Sequence, residues 1–224
     1  MTKIRRLRHL AVDDFVRLEQ MDILAGQAPA TFAVSVINAL IVYYLLRDLV
    51  DGWSILSWTS AVIAFNCLRM LMVLVYARMT DEDSHRTWLV LYLVLIYLTG
   101  LSWGILPLVS PFNEDTLVQG FLIFVIVGMA AGGLLSLYVK LSAAIPYYIA
   151  VLTPLIWSLA SDGMPGHIAM ALLASFFLLM LVRTTYVFNR AVNKTIRLEL
   201  ENRDLFNFLV EAQAEKDASR LQNR

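Results

Sequence analysis

Six apolar runs, each about as long as a bilayer core is thick, leave this chain few folds to choose from. They are residues 30–46, 53–76, 87–109, 117–138, 141–160 and 167–188. A helix needs about 20 apolar residues to cross the hydrocarbon core. Backbone N–H and C=O groups inside that core find no water, so each run must pair its own groups as a helix. The expected fold is therefore all-α: a polytopic membrane protein with six transmembrane helices spread over residues 29–189. An amphipathic N-terminal segment, 1–28, precedes them, and a signalling helix, 190–224, follows. Composition agrees, since 59% of residues are hydrophobic and only 16% charged, where a soluble domain carries about a quarter. The surplus apolar surface needs the lipid bilayer as its partner.

Short polar breaks separate the runs: Arg47-Asp48, residues 80–86, residues 110–115, Val139-Lys140 and residues 161–166. The fourth is the slightest, with Lys140 alone marking it, so the fourth and fifth spans must form a tight hairpin. Lys and Arg in loops set orientation. Lys3, Arg5, Arg6, Arg8 and Arg17 precede the first run, Arg78 and Arg86 flank the second loop, Lys140 marks the fourth, and Arg190, Lys194 and Arg197 follow the last. The alternate loops hold one cation, Arg47, with Asp48, Asp51, Glu114, Asp115 and Asp162. This alternation places both termini in the cytoplasm. Trp53, Trp58, Trp88, Tyr138 and Trp157 lie near run ends and read as an interfacial belt. The first run starts too late and runs too long for a secretory leader, so no cleaved signal peptide is expected.

Two segments flank the spans. In residues 4–23, Ile4, Leu7, Ala11, Phe15 and Leu18 recur at helical spacing among charges. Such a helix either contacts another chain or lies on anionic headgroups. Residues 190–224 contain no Gly or Pro. Leu198, Leu205 and Ala212 step by seven, with Phe208 and Leu209 beside them. This is a short coiled-coil seam into which the sixth span can run straight. A homodimer is the expected partner.

The stretches Leu18-Glu19-Gln20, Gln27-Ala28-Pro29-Ala30 and Val36-Ile37-Asn38-Ala39 resemble the start of a bacterial membrane sensor region. Gly128-Met129-Ala130-Ala131-Gly132-Gly133, followed by Pro146 and Pro154, is similar to the same region, and Leu198-Glu199-Leu200-Glu201-Asn202-Arg203-Asp204-Leu205 to its linker. The resemblance covers nearly all of residues 14–215. It implies a six-helix unit of the bacterial inner membrane that precedes a diguanylate cyclase (GGDEF) domain, often with a phosphodiesterase (EAL) domain after it, or a histidine kinase. It also implies two chains acting together, because such a cyclase site forms between two cyclase domains. Residues 1–224 contain no Gly-Gly-Asp/Glu-Glu-Phe run and no phosphoacceptor His in a kinase-like helix. No catalysis is expected within them; the sequence is either the input half of a longer receptor or a stand-alone sensor.

Candidate sites follow from residues that lipid disfavours. Arg69 lies seven residues before the end of the second run, about 10 Å deep, where an ionisable residue is a functional candidate. Thr59, Asn66 and Arg69 share one helix face, directed at a ligand or at Asn38 of the first span. The alternative is that Arg69 snorkels to the headgroups. Gly100 with Gly104, and Gly128 with Gly132, form small-residue seams that let helices approach. Pro146 and Pro154 can kink the fifth span. His9, His85 and His167 lie in tails or loops, too scattered to clamp a haem or a metal ion. Cys67 stands alone, so neither a disulfide within the chain nor a Cys-based metal site is possible. No cofactor and no nucleic-acid partner is expected.

The residues therefore read as the sensory and dimerisation region of a receptor, responding to a small molecule or to the membrane, with a cytoplasmic output domain in cis or on a partner protein. The rival class is a small transporter or channel. Transport needs a polar path or inverted repeats, yet Arg69 and Arg183 are the only charged residues in the runs and no internal repeat is evident. An intramembrane enzyme would need a paired acid, base or nucleophile, and the runs supply none.

Overall fold

The computed structural model describes residues 12–78, 82–110, 116–161 and 163–222, with backbone alone at 12–15, 82–86, 204, 207, 211–212 and 214–222. Every regular element among them is helical: α1 (Val12–Gly26), α2 (Ala28–Leu46), α3 (Gly52–Tyr76), α4 (Glu82–Gly104), α5 (Leu106–Val109), α6 (Thr116–Leu137), α7 (Leu141–Ser161) and α8 (Pro165–Gln222). Among the described residues six stretches are long and apolar enough to cross a membrane, the build of a multi-pass membrane protein.

Two boundaries differ from the sequence reading. The first apolar stretch spans Val16–Leu46 rather than starting at Ala30. Pro29 falls in the first turn of α2, where a missing N–H breaks no helical bond. The Gln27 N–H still reaches the Ile23 carbonyl at 3.2 Å, and Gln27 then accepts from the Thr31 N–H at 3.2 Å. The third run divides instead: α4 ends at Gly104 and the short α5 begins at Leu106 with Pro107 in its first turn. Proline inside a helix removes a hydrogen bond and crowds the preceding turn.

The chain forms two compact units, residues 21–189 and a second made of residues 1–20 with 190–224. In the larger unit, α2 packs on α3, α3 on α4, α4 on α7, α7 on α6, and α6 back on α2. The core contains Trp88, Tyr92, Trp103, Leu122, Ile126 and Tyr148, each at most 1% exposed. Trp53 and Trp157 are exposed, as an interfacial belt requires, whereas Trp58 and Trp88 turn inward and are buried. Position near a run end did not reveal that choice, because it depends on which helix face meets a neighbour.

Glycines set the closest approach. A Cβ on Gly104 would overlap the Ala150 carbonyl of α7, and one on Gly100 would lie 2.8 Å from the Tyr147 ring. Only hydrogen at these positions lets α4 lie against α7. Gly128 and Gly132 have open space where a side chain would be; their neighbour Gly133 makes the contact, 2.5 Å from the Tyr147 ring to its notional Cβ. Helix α7 continues through both Pro146 and Pro154.

Helix α8 contributes to both units. Within the larger one its buried residues, Ala171, Ala174, Leu181, Thr185 and Asn189, form a narrow stripe, while Leu172, Leu173, Phe176 and Leu179 are exposed. Polar side chains hold that stripe: Gln119 with His167 at 3.1 Å, Tyr148 with Thr185 at 3.0 Å, and Asn189 Nδ2 donating to the Tyr138 and Val139 carbonyls at 3.0 and 2.6 Å. In the smaller unit Val16 and Ile196 are buried, and Gln20 Nε2 donates to Asn193 Oδ1 at 2.8 Å. The N-terminal stripe proposed from sequence is described only in part: Leu18 is half-buried, Ile4, Leu7 and Ala11 lie outside the described residues, and so does the Phe15 side chain.

Candidate functional site

The inner face of α3 carries the polar residues singled out above. Thr59, Asn66 and Arg69 are all buried, in line with Ile55 and Val62. Their fates differ. The Thr59 hydroxyl donates to the Ile55 carbonyl of its own helix at 2.8 Å, which satisfies it locally. Asn66 Nδ2 donates to Ser35 Oγ of α2 at 3.0 Å and to the Val62 carbonyl at 2.8 Å. Ser35 Oγ also accepts from Trp103 Nε1 of α4 at 3.2 Å, so one serine joins three helices. Above this junction Trp58 Nε1 donates to the Ser102 carbonyl at 2.6 Å, and the Trp58 and Trp103 rings meet edge to face with centroids 5.2 Å apart.

Asn38 is not the partner of Asn66. One turn beyond Ser35, it is half-buried and its Nδ2 lies 3.3 Å from the Met129 sulfur of α6. Both residues stand on α2, and the rotation of that helix decides which of them reaches α3.

Arg69 ends the column. It is 8% exposed, and its guanidinium carbon lies 5.6 Å from the centre of the Tyr92 ring. Its Nε is enclosed without a hydrogen-bond acceptor. The Tyr92 hydroxyl, on a residue 0% exposed, is likewise without a partner. Tyr92 stacks on Trp88, with centroids 4.7 Å apart and rings inclined by 12°. Trp88 Nε1 is held by the Met72 carbonyl at 2.6 Å. Tyr76 packs on the other side of Trp88, at 4.6 Å, and its hydroxyl donates to Asp22 Oδ1 at 2.7 Å. The Tyr147 hydroxyl of α7 donates to the Met129 carbonyl at 3.2 Å.

The sequence reading missed Ser35, Tyr92 and Trp103. Trp88, Tyr92 and Ile96 recur every four residues and would have marked the inner face of α4, had Trp88 not been read as interfacial. Ser35 carries no such signal, because a lone serine in an apolar run is common and cheap. Among the described residues no three His, Cys, Asp or Glu side chains come together as a metal site. Cys67 is exposed. The coiled-coil residues Leu198, Leu205, Phe208 and Leu209 are all exposed, as are Phe206 and Val210, while Ala212 is helical with its side chain outside the described residues.

No family model matches this chain, and no curated protein or solved structure is significantly similar to it. The column offers hydrogen-bond donors, one cation and aromatic faces.

Proposed function

We propose that this chain is the membrane-embedded sensory and dimerisation region of a bacterial signalling receptor. Both tails lie in the cytoplasm, and α8 relays the state of the bundle to an output module, a diguanylate cyclase or a histidine kinase, carried in cis or by a partner protein.

The observation that carries this reading is helix α8. It runs unbroken for 58 residues, from Pro165 through the last span to Gln222. A continuous helix passes rotation or translation along its axis, because every peptide is tied to the next turn. Its span is the least buried of the six, at 17% of the best window, and it is attached at a few polar points, so modest changes in the bundle can move it. Its distal part presents Leu198, Leu205, Phe208 and Leu209 unpartnered. A second copy would cover that seam. A seam of two or three heptads is weak alone, which suits a switch whose two registers differ by little.

Transport has less in its favour. The column between α2, α3, α4 and α7 is filled by Trp58, Trp103, Trp88 and Tyr92, which leave a translocated solute no polar path through it.

The test is cysteine cross-linking in native membranes, with Cys67→Ser as background. Leu198→Cys and Leu205→Cys should give disulfide-linked dimers in good yield, and the off-seam Leu200→Cys and Arg203→Cys little. Equal yields at all four positions, or no dimer at any, would remove the relay reading.

A further inference from the structure

The geometry points to Arg69 and Tyr92 as a binding site for one oxyanion, a phosphate or carboxylate group held between α3 and α4. The site deepens the sensory reading above, which supplies its purpose. The binding itself is argued from local chemistry.

A guanidinium is always charged and offers five N–H donors in a planar fork. Taken out of water, such a charge is tolerated when an anion or a set of acceptors faces it. Arg69 has neither among the described residues: its Nε finds no acceptor and no carboxylate lies in ion-pair range. Its one partner is the face of the Tyr92 ring, at 5.6 Å. Asp22, an acid at that end of the bundle, is engaged by the Tyr76 hydroxyl at 2.7 Å. Tyr76 lies seven residues beyond Arg69 on α3, about 10 Å along the helix.

The Tyr92 hydroxyl is the second half of the argument. It is a buried donor on the residue whose ring faces the guanidinium, and it too is without a partner. Two unmatched donors on side chains that meet, guanidinium against ring, one of them cationic, call for one acceptor with negative charge and at least two oxygens. A carboxylate or phosphate presents that pair to the guanidinium fork and leaves a lone pair for the tyrosine O–H. The surroundings are apolar: Trp88 stacks on Tyr92 and is 1% exposed. In so dry a setting the attraction is little screened.

The oxyanion has two possible sources, a free solute or the headgroup of a lipid that enters between the helices. Purified full-length chain in a neutral detergent separates them. The first arm titrates inorganic phosphate and follows thermal unfolding. The second uses native mass spectrometry to compare retention of phosphatidylglycerol with that of diacylglycerol bearing the same acyl chains. Saturable stabilisation by phosphate identifies a free-anion site. Retention of phosphatidylglycerol alone identifies a headgroup site. In whichever arm binds, Arg69→Gln should weaken affinity at least about tenfold, the scale of one charge-assisted hydrogen bond. Arg69→Lys should retain part of it, and Tyr92→Phe should lose a smaller factor. Binding in neither arm, or equal affinity in wild type and Arg69→Gln, overturns the proposal. Where Arg69→Gln does not fold, Tyr92→Phe decides, and unchanged affinity in that variant overturns it. None of these readouts depends on the tail, so failure of the cross-linking test above leaves this result standing, and the reverse.

Discussion

The Tyr148 hydroxyl lies 3.0 Å from the Thr185 hydroxyl, and Thr185 in turn donates to the Leu181 carbonyl of its own helix at 2.7 Å. Thr185 has therefore spent its proton, and Tyr148 is the donor of the pair. Next to Tyr148 stands Tyr147, with the two rings 6.1 Å apart, and the Tyr147 hydroxyl donates to the Met129 carbonyl of α6 at 3.2 Å. A short chain of contacts thus runs from Met129 of α6 across α7 to the helix proposed as the output.

Removing the acceptor tests that chain. Thr185→Val keeps the shape of the side chain and leaves the Tyr148 hydroxyl buried without a partner. The expected cost is about 1 kcal/mol, between the small average for hydrogen bonds in membrane bundles and the larger cost of an orphaned donor. Asn189→Leu, which loses bonds to two carbonyls, should cost at least as much. Unfolding in mixed micelles reads the stability. If α8 is the relay, both variants should also change the cross-linking yield at Leu198→Cys, a position neither of them touches.

The glycines give an internal contrast. Gly104→Val drives a side chain into the Ala150 carbonyl, which is backbone and cannot swing aside. A loss of about 3 kcal/mol is expected, the upper range for overpacking. Gly128→Val meets nothing, so unfolding should shift by less than about 0.5 kcal/mol. A matching loss in both would mean that Gly128 is covered in the membrane, with a second copy the first candidate.

Topology is testable residue by residue. In a Cys67→Ser background, single cysteines at residues 110–115 and 161–166 should react with an impermeant thiol reagent added outside intact cells. Cysteines at residues 81–86 should react only after the membrane is opened. Labelling of Asp83→Cys from outside would reverse the orientation derived from Arg78, Arg86 and Lys140.

An insertion series addresses the relay directly, in chain carrying an output domain after residue 224. Four residues added after Arg190 rotate the seam by about 40°, while seven return it to within about 20°. Output should change sharply with four and recover with seven. Equal output from the two would make the tail a passive tether.

Much of the fold was legible because lipid penalises any polar backbone it cannot satisfy, and six apolar runs became six candidate spans. The inward face of α3 was legible too, since Asn66 and Arg69 are costly in lipid and fall on one face. What escaped was register between helices. Ser35 and Asn38 sit one turn apart on α2, and nothing in the sequence says which one meets Asn66. Gly132 and Gly133 are adjacent, yet helix rotation puts the second against Tyr147 and the first in the open. The break at Ile105 was legible in Pro107 and was overlooked inside a continuous apolar run.

The thin protein cover on α8 has one more consequence. With Leu172, Leu173, Phe176 and Leu179 facing outward, this helix is bathed more by acyl chains than by its own bundle. Its tilt is then set partly by the thickness of the membrane, at fractions of a kcal/mol for each ångström of mismatch. A thicker bilayer would draw α8 upright and a thinner one would lean it over, while the enclosed helices α4 and α7 held their crossing. The lipid composition of the cell would thereby act on the same helix as any bound ligand, through its angle to the membrane normal.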